Sequence, residues 1–176
     1  AGARLSHLAL LALTGAGAVA LLIAVAPYRM ERFIAFLDPW ADPIDKGFQT
    51  IQSLLALGSG GLFGVGLGAS RQKLFYLPEK HTDFIYAIIG EELGFIGGAL
   101  IILLFIIFTW RGLKTALDVP DNFGSLLAAG ITIMITLQAI INIGVVTGSM
   151  PVTGITLPFI SYGGSSLLIT MTAVGI

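Results

Sequence analysis

The sequence predicts an all-α integral membrane protein with four transmembrane helices and one large loop carrying an amphipathic helix. Three observations predict it. Charged residues make up only 11% of the chain, where a soluble domain carries about 25%. Mean hydropathy is +0.94, and the apolar residues gather into separate runs near the ~20 residues that a spanning helix needs. Glycine is abundant, 23 residues, as expected where membrane helices approach closely. A net charge of -1 leaves no electrostatic footprint for nucleic acid. Cysteine is absent, which excludes disulfides and thiolate metal sites.

The first run, 8–26, is 19 residues without a charge. Arg4 and His7 precede it and Pro27 closes it, so it reads as a span. Residues 27–83 form a long intermediate region with six cations (Arg29, Arg32, Lys46, Arg71, Lys73, Lys80) and six anions (Glu31, Asp38, Asp42, Asp45, Glu79, Asp83). A connection of that length is expected to hold structure of its own. Ile44, Phe48, Ile51 and Leu55 share one helical face, which predicts an interfacial helix over about 44–57. Asp42 is its expected N-cap, with Pro43 opening the helix. Glycines 58, 60, 61, 64, 66 and 68 follow in a loop.

The second span is expected at 84–110, where Gly90, Gly94 and Gly98 recur every four residues as one close-approach stripe. A short hydrophilic loop, 111–121, carries Arg111 and Lys114. The third span is expected at 123–146. Residues 147–166 hold no charge but contain the helix breakers Pro151, Pro158 and Gly163-Gly164. A last span starts near Leu167. The chain begins without a start Met and ends inside an apolar run, which reads as an excerpt of a longer chain.

Cations in short loops set orientation. The 111–121 loop has two and the 147–166 loop none, which puts the first loop and the N-terminus inside and the second outside. The 27–83 region then lies outside as well. Its cations run against a simple count, but long loops cross a membrane largely regardless of charge.

Within that region Glu79 and Asp83 stand at i and i+4. If Pro78 opens a helical turn, both carboxylates share a face, and one can act as a general base while the other tunes it or holds substrate. The plain alternative is that Thr82 or Asp83 caps the helix beginning at Phe84. Arg29 and Arg32 suit diphosphate oxygens, or anchor the helix end beside Tyr28 and Phe33; Arg71 and Lys73 carry the same two readings. Gln138 and Asn142, four apart in the third span, join helices or line a polar cavity. Ser161-Tyr162-Gly163-Gly164-Ser165-Ser166 either caps the last helix or lines the outer cavity with broken backbone. Gly64-Val65-Gly66-Leu67-Gly68 is not a nucleotide loop, since no Gly-Lys-Ser/Thr follows. His81 reads as a local hydrogen-bond partner. With His7 expected on the opposite side, a His-based metal site is not expected.

Three stretches in order resemble one family. They are Tyr28-Arg29-Met30-Glu31-Arg32 with Phe36-Leu37-Asp38-Pro39-Trp40; Ser70-Arg71-Gln72-Lys73 through Tyr76-Leu77-Pro78-Glu79-Lys80-His81-Thr82-Asp83-Phe84 to Gly90-Glu91-Glu92-Leu93-Gly94; and Pro151-Val152-Thr153-Gly154-Ile155-Thr156-Leu157-Pro158-Phe159 with Ser161-Tyr162-Gly163-Gly164. The chain resembles the bacterial shape, elongation, division and sporulation family, the FtsW/RodA/SpoVE proteins. Arg71-Gln72-Lys73 and the Val152–Pro158 run resemble the FtsW/SpoVE branch more than RodA.

The resemblance implies a bacterial inner-membrane protein of ten helices, of which this chain would be the last four. It implies polymerisation of peptidoglycan glycan strands from lipid II, alongside a class B penicillin-binding protein and other division proteins. Asp83 would be the essential catalytic residue, with Glu79 in the same cavity. Glu79, His81, Arg29, Arg32, Lys73, Ser161 and Tyr162 are the expected substrate-binding residues. Two departures bear on this: Phe75 stands where some division members have an acid, and Thr153 where some have a base. The expected reaction is inverting glycosyl transfer, with Asp83 as base and undecaprenyl diphosphate leaving. A divalent cation, Mg or Mn, is a candidate cofactor with no ligands named. A lipid II flippase and a non-catalytic division scaffold are the alternatives. The four-helix piece is expected to be inactive alone.

Overall fold

The computed structural model describes residues 5–25, 34–45, 47–70 and 83–175. Every regular element among them is helical. The helices are α1 (Leu5–Val25), α2 (Phe48–Gly60), α3 (Ile85–Asp118), α4 (Asn122–Val146) and α5 (Gly164–Gly175), with a 3₁₀ turn at Pro39–Ala41 before α2. Two of them, α3 and α4, are long and apolar enough to cross a membrane. α3 packs mainly against α4 and α2.

The interfacial helix expected over 44–57 is displaced to Phe48–Gly60. Asp42 does not cap it. The Asp42 carboxylate instead accepts from the Asp45 amide at 3.3 Å, and its carbonyl accepts from the Gly47 amide at 2.8 Å. Together these close a turn ahead of the helix. The buried face also differs from the apolar one expected. Thr50, Ile51, Ser53, Ala56 and Gly60 are buried, while Leu55 is 49% and Ile44 87% exposed. Small residues win here because they let backbones touch: a Cβ on Gly60 would stand 2.0 Å from the Gly90 carbonyl oxygen. The Ser53 hydroxyl, fully buried, bonds the carbonyls of Thr50 and of Val146 in α4.

The span expected at 84–110 begins at Ile85 and is interrupted at Gly94, whose φ of 70° and ψ of -168° lie outside the helical region. That conformation is accessible in practice only to glycine. The break bends the chain sharply. Tyr86 and Gly98 would be ~18 Å apart along a straight helix, yet the Tyr86 hydroxyl lies 3.0 Å from where a Gly98 Cβ would stand. Gly90, Gly94 and Gly98 therefore do not form the single stripe expected. Gly90 faces Leu57 of α2, Gly94 faces the 62–64 backbone, and Gly98 faces Tyr86.

The backbone groups freed by the break are taken up by the glycine loop after α2. Phe95 and Ile96 donate to the carbonyls of Gly61 (2.8 Å) and Leu62 (3.3 Å), while Val65 and Gly66 donate to those of Glu91 (2.9 Å) and Glu92 (3.1 Å). The loop thus replaces the two helical bonds, 95 to 91 and 96 to 92, that the kink removes. Ser70, fully buried, donates its hydroxyl to the buried carboxylate of Glu91.

The 111–121 loop shrinks to three residues. α3 continues through Arg111 and Lys114 to Asp118, and the carboxylate of Asp121 caps α4 by accepting from the Gly124 amide at 2.7 Å. α4 lies within one residue of expectation. α3 and α4 are joined by a 2.8 Å hydrogen bond between the hydroxyls of Thr109 and Thr136. The last helix starts at Gly164, three residues before the expected Leu167, because a small residue after the 158–163 turns can open it directly.

Candidate active site

Asp83 occupies the turn immediately before α3, and it is half-buried. The helix's N-cap is Phe84, with no side-chain cap bond, so the capping reading of Asp83 does not hold. Phe84 is instead a core residue, 1% exposed, packed with Ala56, Ala139, Val145, Val146 and Leu157. Burying the next side chain fixes where the Asp83 turn sits.

Two further elements meet it there. Asn142, 1% exposed in the last turns of α4, donates its Nδ2 to the backbone carbonyl of Asp83 at 2.8 Å and to that of Ile155 at 2.7 Å. The joining reading of Asn142 is thus the observed one, and what it joins is the Asp83 turn rather than a neighbouring helix. The irregular stretch 151–157 lies beside it. Within it Gly154, at φ +73°, leaves the space where its Cβ would lie 3.5 Å from Asp83 Oδ2. A side chain at this position would cover the carboxylate, and glycine leaves it open.

The stretch is closed by a tight turn. The buried Leu157 donates its amide to Ser161 Oγ at 2.7 Å, and its carbonyl accepts from the Ser161 amide at 3.0 Å. Phe159 adopts φ 65° in this turn, and its ring meets Phe108 of α3 edge-on at 5.8 Å. Ser161 therefore holds backbone as well as being an expected substrate residue. Tyr162 is 80% exposed beyond it. Of the expected site residues, Asp83, Ser161 and Tyr162 are described. Glu79, His81, Arg29, Arg32 and Lys73 lie outside the described residues. Among the described residues Gly154 and Asn142 also meet Asp83. Their signals were a glycine between Thr153 and Ile155 and an amide inside an apolar span.

Among the described residues no group of three or more His, Asp or Glu side chains is placed to hold a metal ion. An apolar groove of about 600 Å³ runs along the break, lined by Leu57, Tyr86, Gly90, Gly94, Gly98 and Ile102 among others.

A family model described as "Cell cycle protein", covering FtsW, RodA and SpoVE, matches residues 1–176. The chain is 60% identical over 176 residues to the stage V sporulation protein E of Bacillus subtilis (strain 168), covering all of this chain and 48% of that protein. It is 51% identical over 176 residues to a probable peptidoglycan glycosyltransferase FtsW of Geobacter sp. (strain M18), with the same coverages. A chain in the structure of a peptidoglycan synthase complex that coordinates polymerization and crosslinking superposes with a TM-score of 0.70 and 34% identity, over 93% of this chain and 46% of that one. The chain thus spans about half the length of the curated relatives it matches.

Proposed function

Because the chain belongs to the FtsW/RodA/SpoVE cell cycle protein family, we propose that it is the Asp83-bearing part of a membrane-embedded peptidoglycan glycosyltransferase. The substrate is lipid II. A sugar hydroxyl of the acceptor gives its proton to the Asp83 carboxylate as its oxygen bonds the anomeric carbon of the donor. The donor's bond to undecaprenyl diphosphate breaks, and the electron pair leaves with the diphosphate, inverting the anomeric centre. A positioned base of this kind contributes about 10²–10⁴-fold. Arg29 and Arg32 are assigned to the diphosphate, where forked guanidinium donors match its oxygens. Glu79, His81, Lys73, Ser161 and Tyr162 are assigned to the sugars.

The observation that carries this reading is the setting of Asp83. Its turn is gripped by its backbone, its carboxylate makes no hydrogen bond among the described residues, and a glycine opens one side of it. The apolar groove along the break suits a polyprenyl tail. The protein lies in a membrane; we assign it to the bacterial inner membrane as the last four of ten spans, with 27–83 and 147–166 outside. A class B penicillin-binding protein is the assigned partner, supported by the likeness to a synthase complex.

One observation favours a second reading. Broken membrane helices are common in transporters, and α3 is broken at Gly94. In a lipid II flippase, however, polar groups gather near the membrane middle, and the carboxylates nearest the break, Glu91 and Glu92, lie at the Asp83 end of α3. Purified full-length protein with its partner and lipid II separates the readings. Asp83→Asn is expected to lower glycan polymerisation by about 10²–10⁴-fold, and polymerisation at the wild-type rate would end the base assignment. Lipid crossing vesicles with no polymer from the wild type would support the flippase.

A further inference from the structure

We propose that Asn142 is the positioning residue for Asp83, fixing where the carboxylate stands by holding the backbone on either side of the site. This rests on the reading of Asp83 as the base. A single Nδ2 makes both bonds, to the carbonyls of Asp83 and Ile155. Those carbonyls belong to the turn before α3 and to the stretch carrying Gly154, two segments far apart in the chain. A primary amide can hold both without a charge, because it carries two diverging N–H donors on one nitrogen. Serine or threonine offers one donor, and lysine or arginine would bury a charge.

The arrangement gives up stability. Among the described residues Asn142 Oδ1 is buried without a hydrogen-bond partner, and native structures hold few such atoms. What the grip supplies is register. With the carbonyls of residues 83 and 155 tied to one atom, the Asp83 carboxylate is set over Gly154, 3.5 Å from where a side chain would begin. The hold is on the backbone and leaves the carboxylate oxygens available. A base held by donors to its own oxygens would be a weaker one, since such bonds stabilise its charged form.

The test uses the full-length protein in complex with its partner transpeptidase, lipid II as substrate, and rates normalised to monodisperse complex. Asn142→Leu removes both donors at similar size. It is expected to lower kcat by ~10²-fold, the scale of a small misplacement of a catalytic group, with KM for lipid II unchanged. Asn142→Asp keeps the shape and, as a neutral acid, offers one donor, so its kcat is expected to fall between the two. That graded order at constant KM supports the proposal. A wild-type kcat for Asn142→Leu, or a KM that rises in step with the loss, overturns it. If Asn142→Leu gives no monodisperse complex, Asn142→Asp decides alone: a lower kcat at constant KM supports, and an unchanged kcat overturns. Asp83→Asn runs in the same assay. A wild-type rate there sinks the base reading itself, whereas a strongly reduced Asp83→Asn beside a wild-type Asn142→Leu sinks only the positioning.

Discussion

The amide of Phe95 donates to the carbonyl of Gly61 at 2.8 Å, not to Glu91 four residues back in its own helix. An apolar helix has no water to satisfy backbone groups that a kink exposes. Here the glycine loop after α2 supplies them, donor for donor and acceptor for acceptor. It ties the break to the segment carrying Ser70, whose hydroxyl bonds Glu91.

Gly94→Ala follows from this as a severe lesion. The native conformation, φ 70° and ψ -168°, costs a non-glycine residue about 1–3 kcal/mol. The new Cβ would also stand 2.4 Å from the Gly64 amide nitrogen and 2.6 Å from the Leu62 carbonyl, and overpacking adds about 1–3 kcal/mol. Thermal unfolding of the purified full-length variant in detergent is expected to shift down by several degrees. An unchanged midpoint would show that the loop does not occupy the break.

Ser161→Ala is expected to loosen the turn that shapes the 151–157 stretch. The buried Leu157 amide loses its 2.7 Å acceptor, and an unsatisfied buried donor costs about 1–3 kcal/mol. A residue that only touched sugar would raise KM without altering stability. The expected result is a lower unfolding midpoint, measured alongside KM for lipid II.

Much of this was legible in the residues. The apolar runs placed α3 and α4, since 123–146 carries no charge and 84–110 only Glu91 and Glu92, and so few charges in a long apolar run admit few alternatives. The failures have a common origin. Hydropathy counts side chains, and what shapes this fold is backbone meeting backbone. Gly60 against Gly90, the loop inside the break at Gly94, and Gly154 beside Asp83 all depend on missing side chains. A four-residue glycine spacing looks alike whether the helix is whole or broken. Arg111 and Lys114 suggested a loop because they are charged, yet nothing in them breaks a helix and α3 runs through both.

Asp83→Asn should leave the fold intact while removing the base. Among the described residues the Asp83 contact that holds structure is its main-chain carbonyl, bonded by Asn142, and its side chain does not cap α3. The amide is nearly isosteric. Unfolding temperature and partner binding are expected to match wild type while polymerisation falls by about 10²–10⁴-fold. A matching loss of stability would mean that the carboxylate serves the fold.

Gly154→Ala probes the open side of the carboxylate. At φ +73° an alanine costs about 1–2 kcal/mol, a modest loss for the whole protein. Its methyl would stand 3.5 Å from Asp83 Oδ2, an ordinary contact that forces no movement of the turn yet occupies the space over the carboxylate. Activity should therefore fall further than the loss of folded protein accounts for, with kcat/KM for lipid II reduced by at least ~10-fold, about 1.4 kcal/mol of transition-state stabilisation. Activity lost only in proportion to folded protein would place the reacting hydroxyl on another side of Asp83.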